Sequence, residues 1–136
     1  MPRNEYPLSK QVSLNNIVRV QQVIDFFVLS ELQRGRLYGS ELEQQIITAL
    51  GKQSPRHVGV NNGYLSARLK KLAEDGHVTR VWEGDNRYNR YYSITPQGND
   101  YFKQLLKELP DQVDLAIQTY TNFKHYINRY GQVPLD

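Results

Sequence analysis

At 136 residues the chain has room for one domain with an appended element, and its content of 39% hydrophobic and 11% aromatic residues suffices for a buried core. It holds no cysteine, which excludes disulfides, thiol nucleophiles and Cys-ligated zinc, and no apolar run suited to a signal peptide or to the roughly 20 residues of a membrane span, so a cytoplasmic protein is expected. The net charge of +3 is too mild to signify by itself, but residues 1–51 carry 5 basic and 5 acidic groups, 52–90 carry 8 and 4, and 91–136 carry 4 and 5, so the surplus sits in the middle.

Residues 1–15 lack periodicity and read as an arm. From Asn16 the apolar residues Ile17, Val20, Ile24, Phe27, Val28 and Leu32 recur at steps of three and four, which predicts a helix ending near Gly35, with Phe26 and Leu29 widening the buried stripe. A second helix is expected from Ser40, with Glu43 completing a capping box, Leu42, Ile46, Ala49 and Leu50 on its inner face, and Gly51 as its stop.

A polar loop over 52–59 leads to Asn61 or Asn62 as cap of a third helix, whose Leu65, Leu69 and Leu72 share one side and which Gly76 ends. Two β-rich runs follow, His77 to Trp82 and Tyr88 to Ile94, separated by a polar stretch favouring reversal, so a hairpin is predicted. Thr95 then caps a helix with Pro96 at its first position, and Pro110 is expected to interrupt that helix before Asp111 opens another. This last helix carries Val113, Ile117, Tyr120, Phe123, Ile127 and Tyr130 as an apolar seam whose spacing suits a partner helix.

Three helices followed by a hairpin is the order of a winged helix-turn-helix, in which the third helix enters the major groove and the hairpin reaches the flanking backbone. The expected fold is therefore mainly α with a small β-hairpin wing, divided into an arm (1–15), a winged helix (16–109) and a C-terminal dimerisation helix (110–136). Opposite the leucines of the third helix lie Gly63, Ala67, Lys70, Lys71 and Glu74, flanked by Tyr64 and Ser66. Small residues near its start permit close approach to base edges, the lysines suit phosphate oxygens, and Asn62, Tyr64 and Ser66 offer hydrogen bonds. Such a face is ordinarily just solvated, but the neighbouring hairpin adds Arg80, Arg87, Tyr88, Asn89 and Arg90, with Arg87 and Arg90 the chosen tip contacts. Tyr92, Ile94, Val78 and Trp82 are expected to pack the hairpin rather than stack on bases, while Lys52, Arg56 and His57 in the preceding loop either extend the positive surface or simply solvate it.

No enzymatic pattern competes. His57, His77 and His125 lack metal-ligand spacing, Gly51-Lys52 lacks the upstream glycine of a phosphate-binding loop, and no metal or cofactor is expected. The rival to DNA binding is a winged helix that docks a protein instead.

Three blocks in order, Tyr38-Gly39-Ser40-Glu41-Leu42, Gly63-Tyr64-Leu65-Ser66 through Leu69, Leu72 and Gly76, and Arg90-Tyr91-Tyr92-Ser93-Ile94-Thr95-Pro96-Gln97-Gly98, resemble the PadR family of regulators over roughly residues 17–110. The family commonly has Thr and Tyr where this chain has Tyr64 and Ser66, so the recognition-helix tyrosine stands two positions earlier. The resemblance implies a double-stranded DNA partner, usually with repression, and a homodimer joined largely through the C-terminal helix, here about Asp111 to Tyr130, with the N-terminal helix often packing against it. The arm and length are also similar to a family member that modifies a circadian clock, which implies a clock gene as target. A small-molecule effector is not indicated: Trp82 and the last-helix tyrosines can line an interface cavity, but such a seam more often forms dimer core.

Overall fold

The structure, a computed structural model, describes residues 12–50, 52–53, 56–57, 62–82 and 90–134, with the backbone alone at 52, 53, 56, 57, 62 and 82. The chain divides into two compact units, Val20–Lys107 and a second made of Met1–Arg19 with Glu108–Asp136.

In the first unit, helix α1 (Val20–Glu31) buries Ile24, Val28 and Leu29, and a 3-10 turn at Leu32–Arg34 continues it with Leu32 also buried. The helix begins four residues later than the apolar period suggested. Residues 14–16 form a 3-10 turn instead, Ile17 is buried outside any helix, and Val20, expected in the inner stripe, is exposed.

The short strand β1 (Leu37–Tyr38) was not foreseen, and it moves the start of helix α2 (Gly39–Leu50) to a residue before Ser40. Pairing in the sheet holds Tyr38 extended, so the capping position falls there, and its N–H donates to Glu41 Oε1 at 3.0 Å. Leu42 and Ile46 are fully buried, whereas Ala49 and Leu50, also predicted inside, are exposed. The segment read as a polar loop contains two two-residue strands, β2 (Lys52–Gln53) and β3 (Arg56–His57), paired antiparallel.

Helix α3 (Asn62–Glu74) packs Leu65, Leu69 and Leu72 inward, against α1, α2 and the following strand. Its end is a Schellman turn: His77 N–H donates to the Leu72 carbonyl at 2.9 Å and Gly76 N–H to that of Ala73 at 3.1 Å, with Gly76 at φ 81°. A side chain at this φ is strained, which is why glycine stops the helix here.

Strands β4 (Val78–Trp82) and β5 (Arg90–Ile94) form the expected hairpin, and β1 joins on the far side of β5, giving an antiparallel sheet of order β1-β5-β4. Val78 pairs with Ile94 and Arg80 with Tyr92, and the buried Val78 and Tyr92 define the face turned to the core.

Helix α4 (Pro96–Asn128) runs through Pro110 without a break, contrary to the expected interruption. Proline deletes one N–H and leaves the Leu106 carbonyl without its helical donor, but both residues are exposed, so water can satisfy that oxygen.

Candidate nucleic-acid interface

The inward leucines of α3 leave Gly63, Tyr64, Ser66, Ala67, Lys70, Lys71 and Glu74 exposed on its other side. The Asn62 side chain lies outside the described residues. Lys71 Nζ stands 3.3 Å from Asp75 Oδ1, both groups being roughly half exposed. A pair of this kind, four residues apart on a helix, contributes about 0.3–0.5 kcal/mol, so a phosphate can displace the carboxylate at little cost. Lys70 and Lys71 therefore remain usable cations, although Glu74 and Asp75 temper the local potential.

Sequence reasoning missed what holds this helix. Asp25 of α1 is fully buried and accepts both arms of the Arg68 guanidinium, from Nε to Oδ1 at 2.9 Å and from Nη2 to Oδ2 at 2.7 Å. The Tyr101 hydroxyl of α4 donates to the same Oδ2 at 2.8 Å. Burial, then the bond to Asp25, raises the Tyr101 phenol above its ordinary range, so it stays a donor throughout neutral pH. Arg68 is likewise raised, chiefly by its bond to Asp25, against the opposing effect of its own burial. Removing one partner of such a pair costs about 3–5 kcal/mol, because the other charge stays buried alone. The signal was present: Asp25 stands in step with Val28, Leu29 and Leu32, and an acid at a core position requires a partner.

A second tie secures the end of α3. Thr95 Oγ1 donates to the Gly76 carbonyl at 2.6 Å and accepts from Gly98 N–H at 3.0 Å, while Thr95 N–H donates to the His77 carbonyl at 3.1 Å. One threonine thus caps α4 and binds the turn that closes α3. The approach is close enough that a Cβ at position 98 would collide with the His77 carbonyl oxygen and lie 2.8 Å from Ile94 Cγ1.

On the wing, Arg80 is exposed and Arg90 half-buried, while Arg87, Tyr88 and Asn89 lie outside the described residues, as do the side chains of Trp82, Lys52, Arg56 and His57. Tyr92 and Val78 are buried, as packing residues should be, and Ile94 is half-buried. The outer sheet face carries an unforeseen cluster: the Arg36 guanidinium lies 4.2 Å above the Tyr91 ring, which meets Tyr38 edge-on at 5.9 Å.

In the second unit, Val113, Ile117, Tyr120, Phe123, Ile127 and Tyr130 are each 42–60% exposed in the single chain. A groove of about 410 Å³ there is lined by Val18, Val113, Ala116, Ile117, Tyr120, Thr121 and Lys124. Among the described residues no cluster of three or more His, Asp or Glu could hold a metal, and no helix is long and apolar enough to cross a membrane.

The α2–α3 pair, the preceding short strand and the hairpin after it make this a winged helix-turn-helix. Solved structures share that fold, among them a transcriptional regulator from Clostridium thermocellum (TM-score 0.56, 22% identity, covering 83% of this chain and 97% of that one). Another is Bacillus subtilis PadR in complex with operator DNA (TM-score 0.50, 22% identity, 62% of this chain and 46% of that one). Residues 28–104 match the transcriptional regulator PadR-like family, and the chain belongs to that family. It is also 32% identical over 82 residues to the HTH-type transcriptional regulator SarZ of Staphylococcus saprophyticus, a match covering 55% of this chain and 56% of that relative, so it spans little more than half the relative's length. These are regulators rather than enzymes.

Proposed function

We propose that the protein is a sequence-specific DNA-binding repressor that acts in the cytoplasm as a homodimer, placing two copies of α3 in successive major grooves of a pseudo-palindromic operator. The observation that carries this reading is the exposed face of α3: small residues near its N-terminal end, hydrogen-bonding groups at Tyr64 and Ser66, and Lys70 and Lys71 beyond them. The Bacillus subtilis neighbour, bound to operator DNA, supports the same use of the fold. Asn62, Arg87, Tyr88 and Arg90 are the further residues assigned to the groove and its flanking backbone. A clock gene, implied by the resemblance in length and arm, is the first target to examine once an operator is known.

The test is binding to duplexes selected from a random pool, measured over a range of salt. Lys70→Ala with Lys71→Ala should weaken binding to every duplex and reduce the slope of log K against log salt by roughly 0.9 for each phosphate no longer neutralised. Unchanged affinity and slope would show the face wrongly assigned, and retention of no duplex even at low salt would favour a protein-docking module.

A further inference from the structure

A helix that reads a groove must be fixed in rotation about its own axis, since a small turn moves its outer side chains away from the base edges they address. The three inward leucines of α3 set which face is buried, but aliphatic contacts are non-directional and fix the rotation only coarsely. A guanidinium held at two atoms by a carboxylate is directional. Arg68, whose side chain is only 18% exposed on the flank of α3, meets that condition against a fully buried Asp25.

Asp25 is itself held. Its Oδ2 receives the Tyr101 hydroxyl as well as Arg68 Nη2, and the Tyr101 ring is stacked at 4.7 Å on His77, the residue following the Gly76 turn. The short stretch from Thr95 to Tyr101 therefore reaches α3 twice: through Asp25 to Arg68, and through the Thr95 hydroxyl to the turn at its end.

We propose that Tyr101 is a positioning residue for DNA reading: by fixing Asp25 and hence Arg68, it sets the rotation of α3 and with it the discrimination between operator and other sequences. Arg68 lies on the recognition helix yet spends its charge inward rather than on phosphate. This rests on the DNA-binding reading above.

Full-length wild-type protein and Tyr101→Phe are compared on a duplex selected from a random pool and on its scrambled version, across several salt concentrations. The variant loses one hydroxyl and keeps the ring. Affinity for the selected duplex should fall by about tenfold, while binding to the scrambled duplex and the salt slope stay as in the wild type. A merely structural role would leave the ratio between duplexes unaltered in the folded fraction, and that result overturns the proposal. Equal losses on both duplexes with a shallower slope also overturn it, because they place the affected group on phosphate. Should circular dichroism show the variant unfolded, Arg68→Lys, which keeps the charge but not the fork, takes its place with the same outcomes. A wild type that retains no duplex removes the DNA-binding reading as well, whereas a discriminating wild type with an equally discriminating variant removes the positioning role alone.

Discussion

Gly98 shows how one atom can decide whether two elements meet. The His77 carbonyl passes over it closely enough to accept the Thr95 amide, and any β-carbon there must push that carbonyl away. Gly98→Ala should therefore destabilise the protein by about 1–3 kcal/mol or more, read as a lower urea midpoint with unchanged m-value. The Thr-x-x-Gly spacing was visible in the sequence, but only its capping half had a local reason. The steric half depends on a residue 21 positions earlier that periodicity cannot place nearby. Asp25 and Arg68 were illegible for the same reason: 43 residues separate them, and a search for outward-facing charge passes over a pair that neutralises itself inside.

Among the elements, the helices and hairpin were readable because apolar spacing and turn chemistry are local signals. β1 was not, since two residues form a strand only when β5 supplies the pairing, and that partner lies more than 50 positions away (Leu37 with Tyr92). Pro110 misled in the opposite direction. Its local penalty is real, yet α4 continues because the loss is one hydrogen bond on an exposed side. Pro110→Ala restores that donor, and should raise stability by up to about 3 kcal/mol with a matching rise in the denaturation midpoint. No gain would mean that the turn around position 110 does not follow helical geometry.

For the whole molecule, the exposed seam on α4 is the feature a lone chain cannot leave uncovered at no cost. Val113, Tyr120 and Ile127 are seven residues apart, as are Ala116, Phe123 and Tyr130, the period that keeps one stripe facing a partner helix along its length. Sedimentation velocity should find the wild type dimeric and Tyr120→Glu with Phe123→Glu monomeric, with the circular dichroism of the winged helix retained; a double variant that still sediments as a dimer would place the interface elsewhere. The Asp25–Arg68 pair, whose carboxylate is fully buried, has a practical corollary for any such solution work. Mobile ions do not reach a carboxylate with no exposed surface, so added electrolyte leaves the internal grip on α3 almost untouched. On the DNA-binding reading proposed above, titrations with potassium chloride consequently report the counterions released where exposed cations meet phosphates, and not a loosening of α3.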